Sequence, residues 1–417
     1  VNGDDYDDVI VGAPWETFGG RPAGVARVFY GSPGGLSDWI EWTAGGDRQG
    51  ARFGYSVGTA GDVNNDGYDD VIVGAPPDSF DGRAFIFLGD DPYLSATASY
   101  TLSINWPGAR FGFSVGAAGD VDGDDYDDVI VGAPFYDNGE SSEGMFALFY
   151  GAGLTMTMPL SQTLEGGQNE AQMGYSVGTA GDVNGDTYDD VVVGAPGYES
   201  GAVEVGALYL FYGSGSGLVM TPTVIAGGQA DARFGTAVGT AGDVNNDGFD
   251  DVIVGAPRHD HGEEDEGAAF VFLGSDLGLS ATPVWTAEID LPGALFGSSV
   301  GTAGDVNDDG YDEVIVGAPT YDDGSHKDEG AAFVFQGFPG GLITSARWRG
   351  EGNKQETRYG ASVSTAGDVD GDGYADIIVG APEYFIQTDP LGRAFAYVGS
   401  GLAPHQVFLP LIQMDFP

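Results

Sequence analysis

Short apolar runs divided by polar, glycine-rich turns set the pattern of this 417-residue chain. No stretch shows the three-to-four spacing of an amphipathic helix. The clearest run is Asp-Val-Ile-Val-Gly-Ala-Pro at 70–76, β-branched, of strand length, and closed by Pro. It returns with small changes at 8–14, 128–134, 190–196, 251–257, 313–319 and 376–382. Before it lies a Gly-rich apolar run, 53–60 in the second copy, and after it a third run at 83–88 with counterparts at 207–212 and 268–273. A turn often ending Gly-Leu leads to a less regular fourth run such as 282–288. Four strands per unit and no helix predict an all-β chain of propeller blades, four antiparallel strands each.

Each second run is preceded by an acidic nonapeptide, Asp-Val-Asn-Asn-Asp-Gly-Tyr-Asp-Asp at 62–70. Further copies begin at Asp120, Asp182, Asp243, Asp305 and Asp368, and a copy lacking its first position opens the chain at Val1. The starts lie 58 to 63 residues apart. Repeats of this length are supersecondary units that cannot bury their apolar faces alone. An aromatic-Gly pair sits nine residues before each full loop (Phe53, Phe111, Phe234, Phe296, Tyr359), with Met173 the exception. The Gly-Ala-Pro triplet always begins twelve residues after the first loop position. Seven blades are expected in a single closed ring, at about 1–50, 51–108, 109–170, 171–231, 232–293, 294–356 and 357–417. The core is then divided among blade interfaces. Seven second runs but six aromatic-Gly runs leave one inner strand unaccounted for in blade 1. The natural chain is expected to continue upstream; the alternative source is 406–412, read here instead as the outer strand of blade 7.

The loop carries oxygen side chains at positions 1, 3, 5 and 9, and an aromatic at position 7 whose backbone carbonyl is the natural donor. Several carboxylates plus a carbonyl around one tight turn suit Ca²⁺, which takes six to eight oxygens, better than Mg²⁺. The opening resembles an EF-hand loop, but the Glu at position 12 is absent and the flanks are strands. The candidate ligands are Asn2, Asp4, Tyr6 and Asp8 in loop 1, and Asp62, Asn64, Asp66, Tyr68 and Asp70 in loop 2. Loop 3 offers Asp120, Asp122, Asp124, Tyr126 and Asp128; loop 4 offers Asp182, Asn184, Asp186, Tyr188 and Asp190. Loop 5 offers Asp243, Asn245, Asp247, Phe249 and Asp251; loop 6 offers Asp305, Asn307, Asp309, Tyr311 and Glu313. Loop 7 offers Asp368, Asp370, Asp372, Tyr374 and Asp376. Up to seven structural Ca²⁺ ions are therefore expected. Position 6 favours a residue tolerant of positive φ, so Thr187 should strain or loosen loop 4. Glu313 should reach its ion through a shifted backbone. Position 8 (Asp69, Asp127, Asp189, Asp250, Asp312, but Ala375) is read as exposed or supporting, not as a ligand.

Charge narrows the partners. Fourteen basic against 64 acidic residues give a formal charge of −50, against nucleic acid, which needs Lys and Arg, and against an anionic membrane surface. There is no Cys, and therefore no disulfide, thiolate metal site or Cys nucleophile. No membrane-inserting span is visible.

Together the aromatic-Gly pair, the acidic loop and Gly74-Ala75-Pro76 resemble the FG-GAP repeat of the integrin α-subunit propeller and its bacterial relatives. The resemblance covers essentially the whole chain. It implies a seven-bladed propeller with calcium in the hairpin loops of one face and partner contacts on the opposite face. The uniform motifs favour a microbial secreted protein over an animal receptor, and receptor signalling does not carry over.

The variable polar loops at 137–143, 259–266 and 321–329, with the connections 165–172 and 350–358, are the natural partner-binding segments. Aromatics after the Pro (Trp15, Tyr136, Tyr198, Tyr321, Tyr384) either stack on sugars or pack between blades. The stretch 258–266 has two His and five carboxylates, read as a solvated acidic loop or a transition-metal site. His326 and His405 read as ordinary surface residues. No nucleophile elbow, P-loop or zinc-protease motif occurs, and no catalytic residue is assigned. The expected function is a secreted or cell-surface, calcium-stabilised module that binds protein or glycan in adhesion. The alternatives are a self-assembling subunit of a surface layer or filament, and the propeller of a polysaccharide- or lipid-acting enzyme.

Overall fold

The computed structural model describes residues 1–417 except 38, 153–159, 325, 387–388, 391, 401–408 and 416–417, with backbone alone at 385–386, 389–390 and 409–415. Among the described residues seven antiparallel sheets are arranged as the blades of a propeller, and three further sheets are two-stranded ribbons. Blade 2 runs outward from the axis as Val57–Gly61, Asp70–Ala75, Arg83–Phe87 and Tyr100–Leu102. Blades 3 to 7 repeat this order. Among the described residues blade 1 has three strands, Val9–Ala13, Val25–Phe29 and Trp42–Gly45. Strand Leu409–Asp415 pairs with Arg393–Val398 as the outer strand of blade 7. The segment expected there thus takes that place, a few residues further on, and its first residues, 406–408, lie outside the described ones. Among the described residues no helix is long and apolar enough to cross a membrane.

In blades 2 to 6 the second strand is buried throughout, over all six residues of Asp70–Ala75, Asp128–Ala133, Asp190–Ala195, Asp251–Ala256 and Glu313–Ala318. A β-branched run suits this position because both faces pack against neighbouring blades. One core cluster joins Ile72 and Ile86 of blade 2 to Phe111, Val129 and Phe149 of blade 3. Another joins Val9 and Phe29 of blade 1 to Ala366, Val369 and Ala396 of blade 7, which closes the ring. The hydrophobic core is therefore a set of wedges between blades.

The inner strand begins later than its sequence pattern suggests. Phe53 and Gly54 lie outside Val57–Gly61; Phe53 makes a parallel bridge to Gly24 of the preceding blade. The same bridge joins Gly144 to Met173, Gly267 to Phe296 and Gly330 to Tyr359. Met173 is as buried as the aromatics it replaces, so an unbranched apolar chain fills the same slot. The aromatic-Gly pair is thus an interface element. The carbonyl of Gly54, at φ +80°, abuts Gly12 of the preceding Gly-Ala-Pro so closely that a side chain at Gly12 would collide with it.

The inner strand ends in a β-bulge, between Thr59 and Gly61 in blade 2, with the Gly61 N–H donated to Thr59 Oγ1 at 3.0 Å. The bulge turns the chain out of the sheet and aims it into the acidic loop.

Candidate metal centres and the opposite face

Each acidic loop is folded by its own carboxylates. Asp62 accepts the N–H groups of Asp66 at 3.0 Å and Gly67 at 2.7 Å, and Asp66 accepts the Tyr68 N–H at 3.1 Å. The same bonds recur on Asp120 and Asp124, Asp182 and Asp186, Asp243 and Asp247, Asp305 and Asp309, and Asp368 and Asp372. Loop 1 keeps the Asp4 to Tyr6 bond at 3.2 Å. Position 9 closes the loop from below. Asp70 is fully buried and accepts the Val63 N–H at 3.0 Å and the Gly89 N–H at 2.8 Å. Asp8 keeps both contacts, with the Gly31 N–H at 2.9 Å and the Val1 nitrogen at 3.3 Å.

These elements bring positions 1, 3 and 9 together. Oxygens of Asp120, Asp122 and Asp128, and likewise of Asp368, Asp370 and Asp376, all lie within 4.8 Å of one another. Buried oxygens at position 3 lack any hydrogen-bond partner: Asn64 Oδ1, Asp122 Oδ1 and Asn245 Oδ1. Asn2 and Asn184 accept the N–H groups of Asp4 and Asp186 through Oδ1, and the amides of Asn245 and Asn307 donate to Asp247 and Glu313. Burial pushes Asp70, Asp190 and Asp376 up to about 7, and Asp128, Asp251 and Glu313 up to about 8, with neighbouring carboxylates adding to the shift. Converging carboxylates, unpaired buried oxygens and buried acids that resist ionising form a set that a hard divalent cation fits.

Three local expectations resolve differently. Positions 4 and 6 both need the left-handed region: Asn65 is at φ 52° and Gly67 at φ 91°. The sequence reading found only the second. Thr187 adopts φ 74°, a strained value for a β-branched residue, yet its N–H still reaches Asp182 at 2.8 Å, so loop 4 is strained without being loosened. Glu313 stays in the register of the Asp copies, opposite Gly304, and its longer arm accepts the Asn307 amide at 2.9 Å. The backbone register does not shift.

Position 8 proves to be a clasp between blades. Asp127 of blade 3 accepts the N–H of Asp62 of blade 2 at 2.7 Å and returns its own N–H to the Asp62 carbonyl at 3.2 Å. Asp189, Asp250 and Asp312 repeat this reciprocal pair on Asp120, Asp182 and Asp243. Asp7 does so on Asp368, joining blade 1 to blade 7. Ala375 keeps only the backbone half, an N–H to the Asp305 carbonyl at 3.0 Å. The signal available in the sequence was the near-constant Asp at a position with no place in the ligand set.

The opposite face is less regular. The loops after Gly-Ala-Pro bond the following connections: Glu170 N–H to the Ser141 carbonyl at 2.7 Å and Glu356 N–H to the Lys327 carbonyl at 2.7 Å. Tyr198, Tyr321 and Tyr384 pack on Tyr209, Phe333 and Phe395, and Tyr136 on Trp106. Packing accounts for these four, whereas Trp15 is largely exposed. His259 takes the corresponding place in blade 5, edge-on to Phe270, and borders a cavity of about 260 Å³ with Phe234 and Pro283. Burial holds its imidazole below the usual histidine range. From 258–266 the structure brings His261 and Glu266 together with Glu288, which the sequence did not single out. His326 stands 3.4 Å from the buried Glu329, and His405 lies outside the described residues.

Near the inner-strand starts of blades 2 to 4, Phe113 lies 5.0 Å from both Tyr55 and Tyr175, and 6.1 Å from Phe135. Arg110 stacks on Phe135 at 4.4 Å, and Arg52 on the largely exposed Trp15 at 4.9 Å. Asp78 pairs with both guanidiniums, at 3.0 Å from Arg52 Nη1 and 2.7 Å from Arg110 Nη2.

Fold and loops define a seven-bladed propeller built from acidic-loop repeats. The chain belongs to the FG-GAP repeat family, whose model matches 1–29, 53–87, 111–149, 173–211, 234–272, 296–335 and 359–397. Among similar curated proteins, integrin alpha-IIb of Mus musculus is 38% identical over 216 residues, 50% of this chain and 20% of that protein. Integrin alpha-V of Gallus gallus is 32% identical over 250 residues, 57% and 22% respectively. Integrin alpha-5 of Xenopus laevis is 32% identical over 228 residues, 51% and 20%. The chain thus spans about a fifth of the length of these relatives. A solved structure of a mutant of AofleA from Arthrobotrys oligospora matches 82% of each chain at TM-score 0.43 and 12% identity, a likeness that carries no argument.

Proposed function

We propose that this protein is a secreted or cell-surface binding module, held rigid by calcium in its acidic loops, that takes a protein partner on the opposite face. The observation that carries this reading is the aromatic and guanidinium patch formed by Tyr55, Phe113, Tyr175, Arg52 and Arg110. Aromatics and Arg are the residues most enriched at the energetic centres of protein interfaces. The ion pairs with Asp78 hold both guanidiniums in place, which lowers the entropy lost on binding. The likeness to integrin α-subunits supports a role in adhesion and a place outside the cell. The calcium role is supported by the unpaired oxygens and converging carboxylates of the loops, with the side chains at positions 1, 3, 5 and 9 and the carbonyl at position 7 as ligands. It requires no catalytic residue.

The test is a screen of immobilised matrix proteins and glycans, in calcium and in chelator, with native protein and Phe113→Ala. Calcium-dependent capture of a protein that Phe113→Ala weakens about tenfold or more, without a change in melting, supports the reading. Capture of a glycan alone, or of nothing in calcium, overturns it.

A further inference from the structure

Three blades repeat a polar trio outside the acidic loops. Its first member is the fourth residue after the Gly-Ala-Pro proline, always followed by Gly: Asn138, His261 and Asp323. The second is a buried Glu just before the third strand: Glu143, Glu266 and Glu329. The third is the Glu that closes the outer strand: Glu165, Glu288 and Glu351.

In blade 3 the trio satisfies itself. The Asn138 side-chain amide donates to both oxygens of Glu165, at 3.0 and 3.1 Å. Glu143 accepts the Asn138 N–H at 2.7 Å through one oxygen and the Gly167 N–H at 3.2 Å through the other. No buried oxygen of Glu143 is left over.

Blade 5 keeps the frame but exchanges the amide for an imidazole. Glu266 accepts the His261 N–H through Oε1, is 0% exposed, and leaves Oε2 with no partner. His261 Nδ1 lies 2.5 Å from Glu288 Oε1. One ligand atom each from His261, Glu266 and Glu288 all fall within 4.8 Å of one another. A buried carboxylate oxygen without a donor is a net cost that blade 3 shows this frame can avoid with one Asn.

We propose that His261, Glu266 and Glu288 form a second kind of metal centre in blade 5, one for a borderline divalent ion of the zinc class. An imidazole with two carboxylates is a donor set that Zn²⁺, Co²⁺ or Ni²⁺ accepts and that Ca²⁺ and Mg²⁺, with their preference for oxygen alone, do not favour. Three protein ligands would leave a further position for water or a partner's donor. Ligand atoms around a tetrahedral ion stand about 3.4 Å apart, which a small rotation of the 68%-exposed His261 side chain supplies. Glu266 is the fixed arm, since the His261 N–H holds its other oxygen. Blade 6 offers oxygens only: Arg349 stands 2.8 Å from Glu351 and His326 3.4 Å from Oε2 of Glu329, whose Oε1 likewise has no hydrogen-bond partner, so it shares the unpaired oxygen of blade 5 but lacks the imidazole. It is the internal comparison.

The experiment uses the whole chain in excess calcium, so that the acidic loops are filled, and titrates Zn²⁺ by calorimetry and Co²⁺ by its d–d absorption. His261→Asn recreates the blade 3 trio and should melt no lower than the native protein. One site per chain is expected, weakened more than about 100-fold by His261→Asn and by Glu266→Gln, beyond what loss of an outer partner costs. Glu329→Gln should leave it unchanged. No Zn²⁺ site beyond those that survive in His261→Asn, or an equal loss in Glu329→Gln, overturns the proposal.

Discussion

At the junction of blades 2 and 3, Asp127 grips the Asp62 amide with its carboxylate and the Asp62 carbonyl with its own N–H. At the junction of blades 6 and 7, Ala375 makes only the second of these bonds. Loop 7 nevertheless keeps its whole set of loop bonds, and Asp368, Asp370 and Asp376 still converge. Gathering carboxylates within a loop and joining one loop to the next are therefore separate devices, carried by different positions of the same nonapeptide.

The largest test of that separation is removal of the ion. With free calcium tenfold above Kd, each filled site adds about 1.4 kcal/mol, which over several sites rivals the net stability of a domain. Chelation should lower the melting temperature sharply, and amide exchange should rise first in loop 6, where the side-chain clasp is absent. The pH dependence has a definite sign. In loops 2 to 7 the position 9 acids sit near 7 to 8 in the metal-free fold, against 3.8 for an ordinary Asp and 4.5 for an ordinary Glu. The fold then binds more protons than the unfolded chain, so this stabilisation is full below pH ~4 and is lost as pH rises through 7 to 8. Melting in EDTA should fall across that window, and calcium, which favours the ionised acids, should flatten or invert the slope. Identical pH profiles with and without calcium would sink the metal role.

Next comes the clasp itself. Asp127→Ala should cost about 1.5 kcal/mol in chemical denaturation, since a partly buried amide loses a charged acceptor. Ala375→Asp should recover about 1 kcal/mol, and more in chelator than in calcium. If both changes leave the denaturation midpoint where it was, the clasp is geometry without energy. The smallest effect is expected at Thr187→Gly. Relief of the left-handed β-branched residue is offset by the extra freedom of Gly in the unfolded chain, for a net gain of about 0.5 kcal/mol.

Much of this was legible in the sequence because the repeat is its own alignment. The constant offsets between aromatic-Gly, acidic loop and Gly-Ala-Pro gave the blade, the strand order and the converging loop residues. Contacts between repeats were not legible. Nothing in the spacing says that Phe53 bridges Gly24, or that Asp127 serves Asp62, since each side of such a contact is periodic on its own. The blade 5 trio was half visible: His261 and Glu266 stand in one polar loop, but Glu288 comes from a strand whose pattern is weak.

The bulge, loop and clasp also mean that the covalent repeat and the mechanical repeat are out of phase. A blade is what the gene would duplicate, but the part that bears load is the seam, made from position 1 of one copy and position 8 of the next. The five seams with the full clasp read the same two addresses, so a blade inserted or exchanged there meets its neighbours with a ready-made fit. Variation can then accumulate at the far ends of the blades without renegotiating how they join.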